Sequence, residues 1–157
     1  MSVTPTSTIR SVHRYDLPMA RQDVWDRMCD VGSYRSWWPW LRRFDAHGME
    51  PGDEWQCEVQ PPLPYVVRFW VRLGEVDPPC MVRAEVRGDV IGEASLELTD
   101  HGPICTACLV SALTPGNALL RLVSRFTAPV ARFGHDWVLN SGARQFLDRA
   151  TPPALGE

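Results

Sequence analysis

His13 and Tyr15 stand two residues apart, so a strand containing them presents both on one face. An imidazole there can give or take a proton near neutral pH, and a phenol can orient a polar ligand group. A satisfied rim histidine and a buried tyrosine with a structural partner explain the same pair without chemistry. Tyr65 offers another hydroxyl. His135 lies much later in the chain, with Leu139 one helical turn on and Asn140 nearby. It can face a ligand or make a structural bond to the sheet or to the first helix. Arg68 and Arg72 share a strand face with Trp70 and can hold a carboxylate, although a solvated outer face accounts for them more simply.

Cys105-Thr106-Ala107-Cys108 has CxxC spacing. In an alternating strand these two thiols point to opposite faces, and no second cysteine pair or Cys/His cluster supports zinc. The expectation is therefore no metal. A nucleotide-binding glycine loop, a nucleophile elbow and an HExxH pattern are all missing, so no cofactor is expected either.

The elements that must position these groups follow from periodicity. Ile9 to Tyr15 alternates as a strand, with Ile9, Ser11, His13 and Tyr15 on one face. Ala20 to Asp30 has helical spacing through Val24, Trp25, Met28 and Val31. Gly32 stops it, and Ser33 is placed to cap a second short helix that ends near Trp38, before Pro39. A short strand follows near Leu41 to Ala46, and Glu50-Pro51-Gly52-Asp53 has the order of a type II turn. Glu54 to Gln60 alternates, with Trp55, Cys57 and Val59 on the apolar side.

Pro61 to Pro64 forms a stiff loop. Tyr65 to Glu75 is the longest strand, with Val67, Phe69, Val71 and Leu73 on one face. Met81 to Arg87 alternates again, with Gly88-Asp89 as a two-residue hairpin turn. Val90 to Thr99 pairs with Ile104 to Leu113 across Asp100-His101-Gly102. Asn117 can cap a long helix from Ala118 to about Ala150, which Pro129 should kink.

This order gives an α+β plan: one strand, two short helices, six further antiparallel strands and a long helix. Inward positions include Cys57, Val59, Val82, Ala84, Val86, Gly92 and Ala94. Many are small, so either a pocket lies beneath the helix or the helix approaches closely. Trp37, Trp38 and Trp40 can form a pocket mouth or pack the short helices on the sheet edge. Phe126, Val130, Phe133 and Trp137 make one apolar stripe of the long helix, and His135, Val138, Leu139, Gly142 and Phe146 a second. A helix apolar on two sides is buried or partnered, which leaves a homodimer contact open.

The 157 residues are expected to form a single domain with a core of about residues 9–150, since the chain is long enough to bury one. The net charge is −3 with acids and bases interspersed, which argues against a nucleic-acid footprint. All 16 positive residues are arginine, which suits a GC-rich genome. The polar stretch from Met1 to Thr8 is not a signal peptide, and no run approaches the roughly 20 apolar residues of a spanning helix. Stable membrane insertion is not expected. A cytoplasmic location is, with the five cysteines reduced.

The early helix Ala20-Arg21-Gln22-Asp23-Val24-Trp25, the segment Asp30 through Trp38-Pro39, and His135-Asp136-Trp137-Val138-Leu139-Asn140-Ser141-Gly142 resemble the START-like, or SRPBCC, superfamily of polyketide cyclase/dehydrase and lipid-transport proteins. The resemblance covers about Ser11 to Ala150. Its motifs are degenerate and carry no universal catalytic signature. It implies the helix-grip fold, a curved antiparallel sheet wrapped around a C-terminal helix, with a cavity that takes lipids, polyketides or other apolar molecules.

The resulting expectation is a small hydrophobic ligand bound between sheet and helix. Candidate contacts are His13, Tyr15, Cys57, Tyr65, Val67, Phe69, Ala84, Ala94, His135 and Leu139. A metal-independent aromatase/cyclase or dehydratase using a cavity histidine or tyrosine is the first alternative. A protein-interaction module with an unused cavity is the second.

Overall fold

Antiparallel pairing joins seven strands into one sheet in the order β1-β7-β6-β5-β4-β3-β2. The computed structural model describes residues 8–62, 65–117 and 128–150, with side chains of the last helix described over 134–148. The elements are β1 (Ile9–Leu17), α1 (Arg21–Cys29), a 3-10 turn (Val31–Ser33), α2 (Tyr34–Trp37), β2 (Leu41–Asp45), β3 (Glu54–Val59), β4 (Val67–Asp77), β5 (Met81–Gly88), β6 (Val90–His101), β7 (Ile104–Pro115) and α3 (Ala128–Ala150). The α+β plan and its element order therefore hold. Among the described residues, no helix is long and apolar enough to cross a membrane.

Alternation decides which face of each strand is buried. In β1, Ser11 and Leu17 are buried while Val12 and Arg14 are exposed. In β4, Leu73 is buried while Arg68, Trp70 and Arg72 face outward. Arg68 spends its charge there on Glu58, with Nε 3.0 Å from Oε1. Buried Ser11 and Ser111 satisfy each other across β1 and β7 at 2.8 Å, which removes the cost of two hydroxyls on an inner face.

Several local expectations shift. Ser33 does not cap α2. Its backbone already continues helically from the 3-10 turn (φ −92°, ψ −10°), so its hydroxyl donates instead to Asp30 Oδ2 at 2.6 Å. The Glu50–Asp53 turn forms as expected, with Gly52 at φ 89° and Asp53 N–H donating to the Glu50 carbonyl at 3.1 Å.

Gly88-Asp89 is not a two-residue hairpin turn. The β5–β6 ladder ends at Val86↔Gly92, while Gly88 stays paired with Phe69 of β4 and Asp89 Oδ2 accepts from Arg68 N–H at 2.8 Å. A Cβ on Gly92 would lie 1.9 Å from the Ala112 carbonyl oxygen, so only glycine fits. The β6–β7 hairpin is tighter than expected: His101 pairs with Ile104, and only Gly102-Pro103 turn.

α3 crosses the inner face of the sheet. The expected helix start at Ala118, its Asn117 cap and the segment leading into Pro129 involve residues outside the described set. So do the side chains of Phe126, Val130 and Phe133, half of the two-stripe argument for a dimer. Leu63 and Pro64 of the expected stiff loop also lie outside it.

The candidate cavity and its polar rim

Indole rings fasten α2 and the start of β2 onto α3. Trp38 Nε1 donates to the Gly142 carbonyl at 2.9 Å, and Trp40 Nε1 donates to Gln145 Oε1 at 2.8 Å. Trp37 is 7% exposed and meets the Phe146 ring edge-on, with centroids 5.5 Å apart. Gly142 permits this approach, since a Cβ there would already lie 3.4 Å from Trp40 Cζ2. Tyr34 sits at the centre, in ring contact with Trp37, Trp38, Phe44 and Trp55, and its hydroxyl donates to the Met28 carbonyl. Burial pushes that phenol far above its ordinary pKa.

These contacts hold α3 off the sheet and leave a cavity of about 430 Å³ between them. Its walls come from all seven strands, α1, α2 and α3, and they are almost entirely hydrocarbon and aromatic ring. Trp38 and Trp40 both line it, so the tryptophans pack and form wall at once, whereas Trp37 only packs. A larger open hollow of about 770 Å³ lies against the outer face, among Arg72, Arg83, Glu85 and Glu93. Charged side chains border it, so it suits an apolar molecule less well than the cavity under α3.

Six of the ten candidate contacts border the inner cavity: Tyr15, Cys57, Phe69, Ala84, Ala94 and Leu139. His13, Tyr65, Val67 and His135 are not among its lining residues. Tyr65 and Val67 sit at the far end of β4, where the Tyr65 carbonyl accepts from Gln60 Nε2 at 3.1 Å. Burial raises the pKa of the Tyr65 phenol and lifts the Cys57 thiol to about 12, so Cys57 stays a neutral thiol in the wall. Cys105 and Cys108 pair with Leu17 and Arg14, on opposite faces of β1, so the CxxC spacing brings no two sulfurs together.

His13 and His135 lie behind Tyr15, at the rim where β1 meets α3. Tyr15 Oη donates to Asn140 Oδ1 at 3.0 Å. The His13 ring runs parallel to that of Tyr15, 6.2 Å away. Asp136 Oδ1 lies 3.3 Å from His13 Nε2 and 3.6 Å from His135 Nδ1. Burial first, and the Asp136 charge second, raise the Tyr15 pKa, so the phenol remains a donor at neutral pH.

Asp136 was not singled out from the sequence. It follows His135 by one position, off the apolar stripe, and only the docking of α3 on β1 brings it to His13. Leu17, Leu98 and Ala107 also belong to the wall, and they were legible as inward positions once each strand's alternation is carried to its end.

No family model matches the chain, and no curated protein sequence does. Solved structures do. The chain is similar to the di-domain aromatase/cyclase BexL, with a TM-score of 0.75 and 12% identity over 95% of this chain and 52% of that one. It thus spans about half the length of that relative. It is also similar to the Zhui aromatase/cyclase from a Streptomyces species, with a TM-score of 0.71 and 12% identity over 96% of this chain and 100% of the other. Norcoclaurine synthase from Thalictrum flavum follows, with a TM-score of 0.59 and 12% identity over 94% and 91%. At such identities the likeness speaks to architecture, and it agrees with the sheet order and the crossing of α3. The chain carries a helix-grip fold, a curved antiparallel sheet set against a C-terminal helix.

Proposed function

We propose that this protein binds one small apolar ligand, lipid- or polyketide-like, in the cavity between the sheet and α3. The observation that carries the reading is a cavity of about 430 Å³ whose lining is almost free of polar atoms. That volume lies in the usual range for small-molecule sites, and burial of ligand surface supplies about 25 cal/mol per Å² before the costs of association. Tyr15 is the polar anchor, because its phenol borders the cavity and is oriented by Asn140. Cys57, Phe69, Ala84, Ala94 and Leu139 supply apolar contact, with His13 and His135 acting through Tyr15 at one remove. The reading includes a cytoplasmic location, in keeping with five unbridged cysteines.

An open cavity favours this reading over an interaction module, which predicts a collapsed cavity and a broad exposed aromatic patch. A second reading, a cyclase or dehydratase acting on a polyketide-like substrate, draws support from Tyr15 and its rim of His13, His135 and Asp136. It also draws on the similarity to aromatase/cyclases. Catalysis needs two polar groups reaching one substrate position, and the hydroxyls of the described lining are those of Tyr15, Ser95 and Tyr34, the last already donating to the Met28 carbonyl.

Native mass spectrometry tests the proposal. Protein incubated with a panel of medium-chain fatty acids and fused-ring aromatic ketones should carry a one-to-one adduct with at least one probe. A panel that leaves the folded protein entirely bare would count against it.

A further inference from the structure

We propose that His13, His135 and Asp136 form a binding site for a divalent transition-metal ion of the Zn²⁺ type. The three residues reach one point from two elements: His13 from β1, and His135 and Asp136 from successive positions of α3. His13 Nε2, His135 Nδ1 and an Asp136 carboxylate oxygen all lie within 4.8 Å of one another.

The spacings are compatible with a metal site. Charge-assisted N–H···O bonds are short, about 2.7–2.9 Å. Here the nitrogen-to-oxygen distances are 3.3 and 3.6 Å. Tetrahedral zinc holds nitrogen and oxygen ligands at roughly 2.0–2.1 Å, which makes each ligand-to-ligand edge about 3.3 Å. The two separations from Asp136 are close to such an edge, and the two imidazole nitrogens lie within 4.8 Å of each other. The two imidazole rings are tilted at 49° with centroids 6.4 Å apart.

Two imidazoles and one carboxylate suit Zn²⁺, Co²⁺ or Ni²⁺ and not Ca²⁺ or Mg²⁺, which prefer all-oxygen shells. The side chains are 19%, 17% and 37% exposed, enough for an ion to enter and little enough to limit competition from water. Three protein ligands leave a fourth position open, as in catalytic rather than structural zinc sites. No ligand spacing announces the site in sequence, because His13 and His135 lie far apart along the chain. The proposal is independent of what fills the apolar cavity.

The test is titration of chelator-treated full-length protein with Co²⁺, followed by visible absorption, and with Zn²⁺ by calorimetry. One ion should bind per chain, with Co²⁺ bands of low-coordinate N/O ligation. His13→Ala and the near-isosteric Asp136→Asn should each weaken binding by roughly a hundredfold or more, beyond the 10–100-fold typical of an outer partner. His47→Ala and His101→Ala, which alter exposed histidines elsewhere, should leave it unchanged. Circular dichroism identifies the folded variants. The proposal is overturned by the absence of saturable binding to the unmodified protein. It is equally overturned by undiminished affinity in folded Asp136→Asn, or by loss of binding in the His47 or His101 variants.

Discussion

The Trp38 indole donates its N–H to the carbonyl of Gly142, 2.9 Å away, joining the end of α2 to the middle of α3. The two residues also share the cavity wall. The contact that fixes the helix therefore also fixes the height of the space beneath it.

Trp38→Phe keeps most of the apolar surface and removes this donor. It should lower stability by about 0.5–1.5 kcal/mol, the usual net worth of one hydrogen bond, with a further loss from the smaller ring. Urea denaturation checks it. Gly142→Val should cost more, about 1–3 kcal/mol, because its side chain must displace Trp40 from a site already at van der Waals distance.

Tyr15→Phe separates ligand recognition from cavity shape. A ligand with a carbonyl or hydroxyl at the Tyr15 end should bind about two- to tenfold more weakly, while a purely apolar dye should bind as before. Parallel calorimetric titrations distinguish these. Equal weakening of both would assign the phenol and its bond to Asn140 to structure alone.

Cys57 should resist alkylation in the native protein up to strongly alkaline pH, since its thiol titrates at about 12. Exposed Cys29 should be modified first, although desolvation and nearby Asp26 raise its pKa as well. Peptide mapping after timed iodoacetamide treatment reads this out. Faster modification of Cys57 than of Cys29 would mean the cavity wall opens readily.

The same thiol makes the fold sensitive to alkali. Its folded pKa lies above the ordinary thiol value of 9.0, so the native state holds a proton that the unfolded chain releases. This contribution is complete below pH 9 and is lost as pH rises from 9 toward 12, at up to about 1.4 kcal/mol per pH unit. Buried Tyr34 adds a loss of the same sign at still higher pH. Denaturation midpoints across that window should fall less steeply in Cys57→Ala than in the parent, relative to each protein's value at neutral pH.

Local periodicity made much of this molecule legible. The alternation of Val67, Phe69, Val71 and Leu73 against Arg68, Trp70 and Arg72 assigned the faces of β4 correctly. Leu139, Gly142 and Phe146 marked the cavity side of α3 by helical spacing. Turns were harder. Gly88 looked like a hairpin residue because its partner in β4 is invisible from its neighbours, and His101 looked like loop because a polar edge residue can extend a strand. The rim was least legible. Whether His13 enters the cavity or stops at Asp136 depends on where α3 docks against β1, and no local pattern encodes that distance.

The most direct test of the ligand-binding account is titration of an environment-sensitive apolar dye into the parent protein and into Ala84→Trp. Ala84 borders the cavity, and an indole there fills much of the space beneath α3. The account predicts saturable one-to-one binding to the parent and none to the folded variant. Undiminished binding to folded Ala84→Trp would place the dye elsewhere and contradict the assignment of this cavity as the binding site.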